Sequence, residues 1–226
     1  MKRCILLLFI FILAVTTNAK DLPLYVTYEK YKEGITVEKG RVFYHPHRGM
    51  HLFVDQPVIQ RVKMAPDRYM YYYPDENIAL YMNNRNRILA SESLQLFLNT
   101  DREDLGLSDL GFILTDHYFT GDTLIKVWEI EGKKKKEHIQ IDVFYHQKRV
   151  YKIISYSGNG EEIKRVYFDD WQARDHYYYP MYIRVLEDGN RSVYIYHDLR
   201  IIKGLPDSVI ELFTLPEDCK IYEYEW

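Results

Sequence analysis

GRVFYHPHRGMHLFVDQPVIQRVKMAPDRYMYYYP, residues 40–74, alternates short runs of apolar and aromatic residues with prolines, glycines and charged residues. Arg41–His45, Met50–Val54, Val58–Met64 and Tyr69–Tyr73 each read as a short strand, and Ile78–Met82 continues the series. A period of two puts Met50, Leu52 and Val54 on one face of their strand. By the same rule Phe43 and His45 share a face on the strand before it.

Between the first two strands lies HPHRGMH, residues 45–51, with three histidines in seven positions. A H-x-H pair on a strand is how several metal sites begin. Here Pro46 removes a ladder donor and Gly49 marks a turn, so His47 and His51 do not share a rigid strand. The nearest carboxylate along the chain is Asp55, outside the motif. The segment is expected to be a strand–turn–strand junction with His45 ending one strand and His51 inside the next, and no metal is expected.

The C-terminal half repeats the pattern. Ile139, Ile141, Val143 and Tyr145 alternate with polar or outward-facing positions, as in a half-buried strand. Val150–Ser157 and Ile163–Asp170 flank the glycine-containing SGNGEE, and Met181–Leu186 and Val193–Leu199 flank EDGNR, so both pairs read as hairpins. Four or five antiparallel strands in sequence are expected there. Helix is scarce. Ile88–Leu98 is the best candidate, with Leu94 and Leu98 at i, i+4 and Phe97 beside them. Ser108–Leu114 is a second, shorter helical candidate. KKKK at 133–136 fits a solvated hairpin tip. With 22 tyrosines against 10 phenylalanines and 3 tryptophans, the composition also favours half-buried pleated surface.

The chain opens MKRCILLLFIFILAVTTNAKDLP. Lys2 and Arg3 form a charged leader, Ile5–Val15 an apolar core too short for a comfortable membrane span, and Thr17 and Ala19 the small residues of a cleavage site. A signal peptide of residues 1–19, cleaved after Ala19, is expected, with an uncleaved signal anchor as the alternative. Cleavage would leave 20–226 as one exported domain, in which Cys219 is the sole cysteine and no internal disulfide can form. Loss of Lys2 and Arg3 makes the formal charge of −3 more acidic by two. That argues against nucleic acid or an anionic membrane surface as the main partner.

Catalytic signatures are not evident. Asp169-Asp170 beside Trp171, and the acidic run from Asp101 to Asp104, could supply paired carboxylates, but solvated loop charges account for them as well. There is no G-x-S-x-G elbow, phosphate-cradling glycine loop or C-x-x-C. An enzyme is not expected, nor is a cofactor.

The stretch 40–74 resembles the opening of the LolA-like periplasmic lipoprotein carriers. The resemblance rests on Gly40, Val42–Tyr44, His45-Pro46, Met50–Val54, Pro57, Gln60 and Tyr72-Tyr73-Pro74, and on FTLPEDCKIY, Phe213–Tyr222, as a final strand. The sequence departs from that family in three places. Asp67-Arg68 stands where a glycine turn is usual. His45 stands where an arginine often helps to hold the lid. Leu22–Lys32 reads as strand where a helix is common.

The resemblance implies a mainly β (α+β) fold: a curved, incompletely closed antiparallel β-barrel with short helices as lid or plug over an apolar cavity. Phe43, His45, Met50, Leu52, Val54, Val62, Tyr71, Tyr73, Ile141 and Val143 are expected to line this lipid-binding cavity, and Leu94, Phe97 and Leu98 to form its lid. The implied cargo is lipid or lipoprotein acyl chains. Each buried methylene contributes about 0.8 kcal/mol, so one long chain offers on the order of ten kcal/mol. The implied partners are an inner-membrane donor and an outer-membrane acceptor, and the carrier is expected to be a periplasmic monomer. An envelope sensor or structural protein on the same fold is the rival reading, and a metal-dependent hydrolase the third.

Overall fold

Antiparallel hairpins account for nearly every step of the chain. The structure, a computed structural model, describes residues 22–65, 68–83, 92–100, 102–130, 139–175 and 177–225. The first set of strands is β1 (Leu24–Lys32), β2 (Ile35–His45), β3 (Gly49–Gln56), β4 (Gln60–Met64), β5 (Arg68–Tyr73) and β6 (Ile78–Asn83). Helix α1 (Glu92–Asn99) and a single 3-10 turn (Ser108–Leu110) follow. The second set is β7 (Ile113–Thr120), β8 (Thr123–Ile130), β9 (Ile139–His146), β10 (Arg149–Ser157), β11 (Glu162–Arg174), β12 (Tyr177–Glu187) and β13 (Asn190–Ile201). Helix α2 (Asp207–Glu211) and β14 (Lys220–Glu225) complete the described chain.

All these strands form one sheet in the order β14-β6-β5-β4-β3-β2-β1-β13-β12-β11-β10-β9-β8-β7. Every pairing is antiparallel except β14 with β6. The sheet does not close, since β14 and β7 are its two edges. Bulges in β1, β2, β7 and β10 add bend and twist, and the sheet curls as an incompletely closed barrel around α1 and the segment after it. One large apolar cluster fills the inner face, with Val42, Leu52, Val62, Val143 and Ile183 from the wall and Phe97, Leu105, Leu107 and Phe112 from the insertion. A second, smaller cluster lies on the outer face, where Val209 and Phe213 cover Phe53, Met70, Tyr72 and Ala79.

The outer cluster explains the parallel strand. After β13 the chain crosses the outside of β1 to β6, held there by α2 and by a 2.7 Å hydrogen bond from Arg61 Nη1 to the Leu212 carbonyl. A crossover on one face returns the chain in the direction it left, so β14 runs parallel to its neighbour.

Gly40 shows why one inner position carries no side chain. Tyr28 lies directly opposite it on β1. A Cβ at Gly40 would sit 2.7 Å from the Tyr28 ring and 2.3 Å from the Phe53 carbonyl oxygen. The bare backbone lets Tyr28 lie across β2 and donate its hydroxyl to Glu38 Oε1 at 2.6 Å.

The structure departs from the sequence reading in three elements. Phe213–Tyr222, expected as a final strand, packs over the outer face as far as Cys219 and is strand only from Lys220. The helical candidate Ser108–Leu114 stops at Leu110, and Ile113 and Leu114 open β7. The C-terminal half contains seven consecutive antiparallel strands rather than four or five, because β7 and β8 precede the others. Neither alternates cleanly. β7 is exposed along its whole length, and the centre of β8 is buried on both faces. The signal peptide, residues 88–91 of the helical candidate, Asp67, Asp101 and the lysine run at 133–136 lie outside the described residues.

Candidate functional site

The inner wall follows from register. Leu52 pairs with Val42 on β2 and with Val62 on β4, and Val62 pairs with Tyr71 on β5. Directly opposed residues share a face, so Met50, Leu52, Val54, Val62 and Tyr71 form one inward surface, all in or against the inner cluster. Tyr73 continues it, with its hydroxyl accepting from Gln60 Nε2 at 2.7 Å. Across the barrel, Ile141 and Val143 belong to the same cluster.

Phe43 and His45 do not line this wall. Phe43 is opposite His51, and His45 opposite Gly49. Three loop residues, Pro46 to Arg48, set this register, which pairs the inward Leu52 with Val42 and turns Phe43 outward. Phe43 packs in the outer cluster, edge-on to Phe53 with ring centroids 5.8 Å apart. His45 belongs to the turn, where its Nδ1 accepts the His47 backbone N–H at 3.1 Å.

The three histidines do not converge. His51 is buried, and its ring lies against Phe213 with centroids 4.8 Å apart. Burial, aided by the nearby charges of Lys63 and Arg48, lowers its pKa to about 4. Among the described residues, no group of three or more His, Cys, Asp or Glu side chains is placed to hold a metal ion.

Most of the inner wall is covered by the insertion. Phe97 is fully buried, stacked on Tyr196 at 4.3 Å and tilted against Tyr179 at 5.5 Å. Leu98 is buried beside it. Leu94 lies within α1, with its side chain outside the described residues. The insertion is tied to the wall by polar contacts. Thr100 Oγ1 donates to the Tyr178 carbonyl at 3.2 Å, and the Tyr145 hydroxyl donates to the Glu103 carbonyl at 2.9 Å. Lys126 Nζ meets Glu103 Oε1 at 2.6 Å, and this pairing holds the Glu103 carboxyl below its usual range.

Open space remains at the β14 edge. Tyr73, Glu76, Ile78, Leu80, Tyr222 and Tyr224 surround about 410 Å³, a volume typical of small-ligand sites. Leu80 is opposite Tyr71 on one side and Tyr222 on the other, so this groove continues the inner wall. Of its residues the sequence reading assigns only Tyr73 to the cavity, and it reads Ile78, Leu80 and Tyr222 simply as strand. The alternation of Ile78 with Leu80, and of Tyr222 with Tyr224, was the available signal.

No family model matches the sequence, and no curated protein sequence matches it. Solved structures do. A LolA superfamily protein from Nitrosomonas europaea aligns over 84% of this chain and 90% of its own, at 17% identity and a TM-score of 0.57. A DUF1329 family protein from Desulfovibrio piger aligns over 87% and 92%, at 15% identity and a TM-score of 0.59. A protein domain from Vibrio parahaemolyticus, described as outer-membrane lipoprotein-sorting, aligns over 84% and 91%, at 15% identity and a TM-score of 0.56. With an unclosed antiparallel barrel, an apolar inner wall and a helical insertion between its two sets of strands, the chain has the LolA-like fold.

Proposed function

We propose that the chain is a non-enzymatic carrier that shelters lipid or lipoprotein acyl chains against the inner wall of its barrel. In this reading it works as a monomer in the periplasm once the leader is removed, between an inner-membrane donor and an outer-membrane acceptor. The observation that carries the proposal is the apolar groove at the β14 edge, continuous with a wall that α1 and residues 102–112 cover. An acyl chain entering the groove gains by burying its methylenes. It advances along the wall by taking the place of Leu98, Leu105, Leu107 and Phe112, so apolar contact is exchanged rather than created. That exchange moderates affinity, as release to an acceptor requires. The tyrosines at the groove add apolar rings with polar tips.

A second reading is favoured by the complete burial of Phe97: a barrel whose insertion is permanent core, serving an envelope sensor or structural protein. Mass spectrometry of organic extracts from the purified exported protein separates the two. The carrier should yield long-chain acyl lipid near one equivalent, and lipid-free protein should bind a fluorescent fatty-acyl probe. Neither bound lipid nor probe binding would leave the structural reading in its place.

A further inference from the structure

The described residues bury three polar side chains, His51, Lys126 and Asp142. His51 and Asp142 are on the outer face, whereas Lys126 is directly opposite the inward Val143 and points into the barrel. An ammonium in an apolar wall is costly unless an anion is held firmly against it. The anion here is Glu103, whose side chain is 89% exposed while that of Lys126 is 11% exposed. A carboxylate so well solvated is easily exchanged.

Trp128 lies two positions along the same strand on the same face, roughly 7 Å away by strand geometry. It is 6% exposed, and its Nε1–H finds no acceptor among the described residues. A buried donor left unpaired is unfavourable and marks a place where an acceptor would be gained. Around these two donors the wall is apolar, with Ile141 opposite Trp128 and the Tyr145 ring 5.4 Å from the Lys126 ammonium. His117 on β7 is opposite Lys126 and adds a third nitrogen-bearing side chain to this face.

We propose that Lys126 and Trp128 form a seat for the anionic head group, carboxylate or phosphate, of an amphipathic ligand, and that Glu103 is the internal carboxylate that occupies the seat when the ligand is absent. This rests on the carrier reading and adds the chemistry of the cargo's head. It also gives the insertion a release. Arg102 bridges Asp104 at 2.9 Å and Asp109 at 2.5 Å, so the segment after α1 is braced internally. Once an incoming anion takes Lys126 from Glu103, that braced segment loses its ionic tie to the wall. Leu105, Leu107 and Phe112 can then leave together for the acyl chain to replace them.

The test is displacement of a fluorescent fatty-acyl probe from the full exported chain at fixed pH and salt. The competitors are oleate, dioleoylphosphatidic acid, methyl oleate and inorganic phosphate. A charge-assisted contact predicts that the wild type prefers oleate to methyl oleate by about tenfold. Lys126→Gln should remove that preference, Trp128→Phe should narrow it, and Glu103→Gln should tighten oleate severalfold. Whichever of oleate and phosphatidic acid loses more affinity in Lys126→Gln identifies the head group. If Lys126→Gln does not fold, the exposed Glu103→Gln carries the test alone. Equal binding of oleate and methyl oleate by the wild type, or a preference that survives in folded Lys126→Gln, overturns the seat and leaves the carrier standing. Binding of no acyl ligand overturns the carrier. In that case, calorimetric binding of inorganic phosphate that is lost in Lys126→Gln would retain the seat, and no phosphate binding would remove both.

Discussion

The imidazole of His51 stands nearly perpendicular to the ring of Phe213, at 82° with centroids 4.8 Å apart, beneath the strap that crosses the outside of the barrel. Its Nδ1 finds no hydrogen-bond partner among the described residues, and its pKa is lowered to about 4, first by burial and then by Lys63 and Arg48. The sign follows from linkage. Between pH 6.5 and 4 the unfolded chain takes up a proton that the folded chain refuses, so stability falls as pH drops through this window and levels off below it. A shift of this size corresponds to about 3 kcal/mol. Urea unfolding of the wild type at pH 7.5 and 4.5 should show most of that loss, and His51→Leu should show a smaller fall. Equal pH dependence in the two proteins would mean that His51 is not the source.

Gly40→Ala tests the close approach of β1, β2 and β3. The added methyl must displace both the Phe53 carbonyl and the Tyr28 ring, and the carbonyl belongs to a paired strand that cannot yield alone. Overpacking of this kind typically costs about 1–3 kcal/mol. Thermal unfolding should shift down by several degrees, with more loss than for Gly204→Ala, where the space is open and φ is not positive. A Gly40→Ala protein as stable as the wild type would show that β3 and Tyr28 both give way without loss.

The sheet was legible in the sequence wherever one strand face is buried and the other is not. Met50, Leu52 and Val54, or Ile139, Ile141 and Val143, declare their common side by a period of two, and the structure puts each set inside. Parity between strands was not legible. Alternation puts Phe43 and His45 on one face and the resemblance implies that this face is inward, but Phe43 has an apolar place to go on either face, and only the register of the turn decides which. The burial of Lys126 is not legible for the converse reason: a lysine within LIKVWEI has the pattern of a strand's solvent side, and its partner Glu103 lies on a loop more than twenty residues earlier. The direction of β14 depends on a crossover over six strands, a relation that no local pattern carries.

At the groove, Tyr222 and Tyr224 are about half exposed while facing Leu80 and Tyr73 across the open space. Their side chains contribute little to the packed core, so Tyr222→Glu should leave the unfolding free energy within about 0.5 kcal/mol of wild type. A carboxylate beside an acyl chain carries a desolvation penalty, and affinity for an apolar fluorescent probe should fall by about tenfold or more. Leu52→Glu, by contrast, lies deep between Val42 and Val62, and should unfold the barrel as well as abolish binding. Unchanged probe affinity in folded Tyr222→Glu would remove the groove from the ligand's path.

The insertion provides the sharpest separation of carrier from scaffold. Phe97 is as buried as any residue of the wall, yet α1 is a helix of only eight residues that docks through the packing of Phe97 and Leu98. Isolated helices of that length are unstable in water, so α1 persists only while its face is docked. The strand β9 is bonded on both sides, to β8 and β10. If the insertion yields to cargo, local opening should precede global unfolding. Amides of residues 94–99 should then exchange with solvent well before those of Ile139–Tyr145. An acylated ligand should change exchange in α1 and in residues 102–112 while leaving β9 nearly unaltered. Exchange of α1 at the same rate as β9, indifferent to every lipid tried, would make Phe97 a fixed core residue. The barrel would then have no route by which a chain could replace its plug, and the structural reading would hold.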